Sequence, residues 1–255
     1  MRRRLLAILL FGLAALAGPA RGERLVLSVS QPEVLITSNF TGADLVLFGV
    51  VEGDGRPKPR YDFAVTVRGP AETFVTWRKS RVLGLYINTD SRTFVDSPAV
   101  LAVATNRPAA EIAPPEVLRR EQVGLWRNIF VQRVGPDFAD VVPDDPFRLA
   151  FLRIKTAEGL YAEDPFGVNL LSPFVFRTTF RIPASAPVGS YEVSVKLFES
   201  GLPVASAVTS VMVRKDGYGQ ELAAFAEDRP WLYGFGVAFG ALFVGFGANL
   251  LFRKD

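Results

Sequence analysis

The 255-residue chain contains neither histidine nor cysteine, which excludes Ser-His-Asp hydrolysis, His-ligated metal catalysis, thiol nucleophiles, thiolate metal sites and disulfides. Its formal charge is +3, from 29 Lys+Arg against 26 Asp+Glu, but the excess sits at the two ends: residues 23–230 hold 23 basic and 25 acidic groups. That balance gives no reason to invoke nucleic acid as a partner, and 12% aromatic residues describe a packed body rather than a disordered chain.

The N-terminus reads Met1, then Arg2 to Arg4, then the apolar run Leu5–Ala17, then Gly18-Pro19-Ala20-Arg21-Gly22. A basic start, a short apolar stretch and small residues at its exit predict a cleaved export signal over residues 1–20, with the cut between 17 and 22. As a helix the apolar run would reach only about 20 Å, short of a hydrocarbon core of about 30 Å. Export without cysteine fits a bacterial envelope better than a disulfide scaffold.

From Glu23 the pattern is that of strands broken by turns. Leu25, Leu27 and Val29 alternate with Val26, Ser28 and Ser30. Leu45–Val51 is a continuous apolar run, as a fully buried strand would be. Gly53–Pro57 is a turn, and Phe63, Val65 and Val67 alternate again. Phe74–Arg78, Arg81–Asn88 and Ala99–Thr105 follow as further sandwich strands.

The next stretch predicts helices. One runs from Pro115 to about Arg127. A second starts at Asp145, a natural N-cap with Pro146 at the first helical position. It shows an apolar stripe of Phe147, Ala150, Phe151 and Ile154 and stops at Gly159, with Leu160 folding back. This block, about 110–160, reads as an insertion.

Strands resume over Phe174–Ile182 and then alternate strictly from Gly189 to Leu197. Gly189-x-Tyr191-x-Val193 looks like the strand of immunoglobulin-like domains that opens with a tyrosine corner, with valine in place of the usual cysteine. Glu199–Pro203 turns a hairpin into Val204–Arg214. The expected fold is mainly β: an immunoglobulin-like β-sandwich over residues 23–215 with a helical insertion, against the plainer alternative of an antiparallel meander.

A link over 216–229 leads to Trp231–Phe252, 22 residues without a charge, about 33 Å long as a helix and so a transmembrane helix. Trp231 and Tyr233 suit the outer interface. Arg253 and Lys254, in the tail 253–255, suit a cytoplasmic end. The expected location is a bacterial inner membrane, single-pass, with the body in the periplasm. Gly236-x-x-x-Gly240 and Ala241-x-x-x-Gly245 are small-xxx-small pairs, and Asn249 adds a polar group. Together they point to packing against a second copy or a polytopic membrane protein.

Few residues suggest chemistry. Trp77-Arg78-Lys79-Ser80-Arg81 is the densest basic cluster, either an anion or partner contact or a strand edge blunted by charge; in a strand Arg78 and Arg81 point to opposite faces. Asp137, Asp140, Asp144 and Asp145 lack the spacing of a calcium loop, so no metal site is assigned. Asn39-Phe40-Thr41 is a chance sequon in a bacterial chain. No phosphate or dinucleotide loop occurs, so no cofactor is expected.

Glu23–Gly49, Trp77-Arg78-Lys79 with Leu83–Asn88, Phe147–Tyr161 and Gly189-x-Tyr191 resemble a family of uncharacterised alphaproteobacterial transmembrane proteins, Alph_Pro_TM, over nearly the whole mature chain. The resemblance implies no activity and no catalytic residues. It implies a partner among polytopic permeases of the sulfite-exporter type. The expected function is a non-enzymatic envelope accessory protein docking on such a partner, the alternative a tethered periplasmic module that binds a small anion. A carboxylate-pair enzyme ranks last.

Overall fold

The computed structural model describes residues 23–37, 40–53, 60–134, 137–215 and 225–252, with side chains as far as residue 247. The segment expected to be an export leader (residues 1–20), Asn39, residues 54–57 of the first turn, the link over 216–224, the side chain of Asn249 and the tail 253–255 lie outside the described residues.

The chain is mainly β, with three sheets among the described residues. The first is antiparallel, in the order β1 (Arg24–Val29), β3 (Ala43–Glu52), β12 (Val175–Ile182), β11 (Val168–Ser172). The second runs β10 (Tyr161–Asp164), β7 (Leu101–Thr105), β4 (Tyr61–Arg68), β13 (Gly189–Glu199), β14 (Leu202–Lys215), β2 (Glu33–Ile36), and both of its edge pairs are parallel. The third runs β5 (Ala71–Val82), β6 (Leu85–Pro98), β8 (Val131–Val134), β9 (Asp137–Asp140).

The main core lies between the first two sheets. Leu45, Leu47, Phe176 and Phe180 from one meet Phe63, Val65, Tyr191, Val193 and Val195 from the other. Strand alternation supplies these inward rows. The run Leu45–Val51, expected to be buried throughout, is covered on one face only: Leu45, Leu47 and Val51 are inside, while Phe48 and Val50 are partly exposed. The opposite correction applies to β4, whose alternation promised one wet face. Residues 61–67 are all buried, because Ala64 packs beneath Ile112, Leu118 and Phe198.

Phe74–Arg78 and Arg81–Asn88, expected as strands of a sandwich, do not join the first two sheets. They belong to one long hairpin, β5–β6, in the third sheet. Sequence periodicity cannot say which sheet a strand joins, because the backbone ladder accepts any extended partner.

Between β7 and β10 lie α1 (Ala109–Ile112), α2 (Pro115–Arg120), a 3₁₀ turn (Leu125–Arg127) and α3 (Pro146–Ala157), together with β8 and β9. The helix expected to reach Arg127 ends at Arg120, where Gln122 at φ 53° and Gly124 at φ 106° break it. In α3 the Asp145 carboxylate accepts from the N–H of Phe147 and Arg148. At its end Gly159 (φ 71°) donates to Thr156 and Leu160 to Lys155, the paired bonds of a Schellman stop. The stripe is rotated from expectation. Phe147, Arg148, Phe151, Leu152 and Lys155 are buried, and Ile154 is 46% exposed. Phe151 sits among Phe94 (4.8 Å, stacked), Phe130 (5.6 Å) and Tyr161 (5.8 Å) in a second core.

The last element, α4 (Pro230–Phe252), is long and apolar enough to cross a membrane, and none of its best window, Pro230–Gly247, is buried against the body.

Candidate functional site

The β5–β6 hairpin is held at its base by α3. Phe74 meets Phe151 at 5.5 Å, and the Lys155 ammonium lies 3.7 Å from the Phe74 ring centre. Burial lowers the Lys155 pKa, against the opposing charges of Glu158 and Glu72. Arg92 donates to Asp145 at 3.2 Å and stands over the Phe147 ring at 5.3 Å. A partly exposed pair like this adds little stability, but it fixes where the hairpin leaves the body.

Above that base, between β5 and the start of α3, is a cleft of about 300 Å3 lined by Thr76, Trp77, Arg78, Lys79, Pro146, Phe147, Ala150 and Arg153. The pairing register puts Arg78 opposite Asp90, Lys79 opposite Asn88 and Arg81 opposite Tyr86. Arg78 donates to Asp90 at 3.3 Å and lies 5.7 Å from the Phe147 ring centre. Trp77, Arg78 and Lys79 therefore come together in the cleft, while Arg81 is not among its lining. Lys79, Arg81 and Arg153 make no ion pair among the described residues. Phe147 and Arg153 were missed by sequence reasoning, since nothing local indicates that α3 closes this side.

Beyond the cleft the hairpin continues to a two-residue tip, Leu83-Gly84, with φ 50° and 84°. Leu83 is 99% exposed, and Leu85, Tyr86, Ile87 and Val82 are also open.

A second polar cleft, of about 290 Å3, lies over β4, β13 and β14. Arg68 donates there to Gln122 at 2.8 Å and to Asn128, and Lys196 donates to the Glu121 carboxylate at 3.1 Å. Burial lowers the Arg68 pKa, while Glu192 and Tyr161 act to raise it. These bonds fasten the turn after α2 to the sheet. Asp145, the fourth acidic residue singled out before α3, is occupied as a cap and by Arg92. Among the described residues no group of three or more His, Cys, Asp or Glu is placed to hold a metal ion.

In α4 a Cβ built at Gly236, Gly240 or Gly245 meets nothing within 4 Å. Gly236 with Gly240 and Ala241 with Gly245 form two short rows, about 140° apart around a helix that has no packing partner among the described residues.

The family model described as "Putative transmembrane protein (Alph_Pro_TM)" matches residues 24–254. The chain belongs to that family. No curated protein matches this Alph_Pro_TM member. Among solved structures, the N-terminal domain of the Streptococcus gordonii adhesin Sgo0707 aligns with 75% of this chain and 32% of its own, at 11% identity and a TM-score of 0.25. The Alph_Pro_TM description is that of a transmembrane family, and among the described residues α4 is the one candidate span.

Proposed function

We propose that this is a non-enzymatic single-pass accessory protein of the bacterial inner membrane. A leader exports the body, α4 anchors it with the C-terminus in the cytoplasm, and α4 packs on a polytopic membrane protein, by family resemblance a permease of the sulfite-exporter type, or on a second copy. The observation that carries this is the two open small-residue rows, Gly236 with Gly240 and Ala241 with Gly245, on different faces of an apolar helix that the body leaves unburied. In lipid, close backbone approach at such rows drives helix pairing. We read the body as an immunoglobulin-like sandwich. The Tyr191 hydroxyl, donating to Pro187 O at 2.8 Å, supports that, being the bond of a tyrosine corner.

Affinity purification of the full chain in mild detergent is expected to retain one polytopic protein, or a second copy, and Gly236→Leu with Gly240→Leu is expected to weaken that retention. Unchanged retention removes α4 from the mechanism.

A second reading has the cleft between β5 and α3 capturing a small anion, supported by Arg78, Lys79 and Arg153 lining one space. Thermal shift with millimolar sulfite, sulfate, thiosulfate or phosphate tests it. Absence of stabilisation counts against it.

A further inference from the structure

The hairpin tip combines three properties that the fold itself does not need. The two residues of a tight β-turn with positive φ at both positions are normally Asn, Asp or Gly. Leu83 occupies the first of them at φ 50°, where a bulky side chain is disfavoured. It does so while 99% exposed, so no packing within the body offsets the strain. From Val82 to Ile87 the only polar side-chain atom is the Tyr86 hydroxyl, and Leu85 and Tyr86 are 70% and 72% exposed.

The stem behind the tip is basic. From Arg78 to Arg92 the chain carries four cations and one carboxylate, Asp90; Arg78 is held by Asp90 and Arg92 by Asp145, which leaves Lys79 and Arg81. By register and alternation, Lys79, Arg81 and Tyr86 share one strand face, and Val82, Leu85 and Ile87 the other. At about 3.4 Å per residue, Arg81 lies about 7 Å and Lys79 about 14 Å behind Leu83. An apolar element sunk about 5–10 Å into the headgroup–acyl boundary would hold those two cations at the level of the phosphates. Their methylene stems can follow the apolar surface while the charges stay in water.

We propose that the β5–β6 tip inserts into the surface of an anionic phospholipid bilayer. Val82, Leu83 and Leu85 enter the acyl boundary, Tyr86 sits at the interface, and Lys79 and Arg81 meet lipid phosphates. This rests on α4 being membrane-embedded: a body already tethered there meets lipid at high effective concentration, so weak insertion suffices. The convex apolar end with its positive collar fits a deformable polyanionic surface.

The test uses the full chain held in nanodiscs by α4. Because the sequence has no cysteine, Leu83→Cys gives a unique site for an environment-sensitive fluorophore, and Ser210→Cys on β14 serves as a control. Retention in the disc, read by gel filtration, reports on α4 separately. In discs with about one-third phosphatidylglycerol, the label at residue 83 is expected to shift to the blue. Acyl-chain spin-labelled lipid should quench it several-fold more than in phosphatidylcholine alone, while the label at residue 210 responds to neither. Lys79→Gln and Arg81→Gln together should return the label at 83 to water. Leu83→Asn, which suits the turn and leaves the fold intact, should lower lipid quenching of a label at Leu85→Cys. A label at 83 that stays open to iodide and unquenched by lipid overturns the proposal. Shielding without lipid quenching, or disulfide cross-linking between two copies at 83, also overturns it in favour of a protein contact. Equal quenching in neutral discs overturns the role given to the cations.

Discussion

Arg148 donates to the main-chain oxygen of Trp126 at 2.7 Å, joining the first turn of α3 to the 3₁₀ turn twenty-two residues earlier in the chain. The same guanidinium reaches Asn128 O at 3.1 Å and Pro143 O at 2.6 Å, and its ring contact is Phe130 at 5.6 Å. It is only 3% exposed, and its Nε finds no partner. Burial lowers its pKa, with the nearby Asp144 charge opposing. Carbonyl dipoles here take the place of a carboxylate. Arg148→Met should cost about 2–4 kcal/mol, because several buried acceptors lose their donor at once. Arg148→Lys should recover less than half, since an ammonium cannot span the fork. Thermal unfolding of the detergent-solubilised chain would read this as a drop of about 2–4 °C per kcal/mol.

Gly49 lies in β3 against the ring of Phe176, which would overlap any Cβ built there. Phe176 has no room to yield: it is fully buried and 4.6 Å from Phe63, centre to centre. Gly49→Ala should therefore destabilise by about 1–3 kcal/mol, the usual range for overpacking. Adding Phe176→Leu should make the double variant less harmed than the two single losses combined, which a double-mutant cycle in urea would measure.

Tyr191 is fully buried, and its hydroxyl donates to Pro187 O. Burial, with the charge of Glu72, pushes its phenol well above the ordinary value, and burial does the same to Tyr161. A raised folded pKa means that these groups' contribution is whole below about pH 10, the unfolded value, and is lost as pH rises towards the folded one. Tyr191→Phe should cost about 1 kcal/mol at pH 7 and make the fall in stability above pH 10 shallower. An unaltered alkaline slope would show that Tyr191 is not a source of it.

Glu121 accepts from Lys196 at 3.1 Å across the second cleft. Burial acts to raise its carboxyl, but the hydrogen bond and charge of Lys196, with Arg120, outweigh it and leave the pKa lowered. A depressed folded pKa supplies stability above the ordinary glutamate value that disappears as pH falls through the folded one. Glu121→Gln should lose up to about 1 kcal/mol at pH 7 and little at pH 3, as equilibrium unfolding at the two pH values would show.

Local chemistry was enough to place several elements from the residues alone. Asp145 with Pro146 and Gly159 with Leu160 bound α3, because caps act through neighbouring backbone groups. Tyr191 was marked by its spacing from Gly189, and the β13–β14 hairpin by alternation on both sides of Ser200-Gly201, which adopt φ 51° and 85°. The basic cluster was equally visible, but its surroundings were not: Phe147 and Arg153 reach it from a helix nearly seventy residues away.

By itself, then, the sequence determined what its short-range rules govern: strand and helix periods, caps, turns and an apolar C-terminal helix long enough to span a bilayer. Only the tertiary structure decided that β5–β6 leaves the main body to pair with β8, that β4 is covered on both faces, that α3 turns Arg148 and Lys155 inward in place of Ile154, and that an apolar tip stands on a basic stem. Those outcomes depend on which distant surfaces meet. A backbone ladder accepts any extended partner and an apolar stripe any apolar neighbour, so the choice is made by packing the whole chain at once.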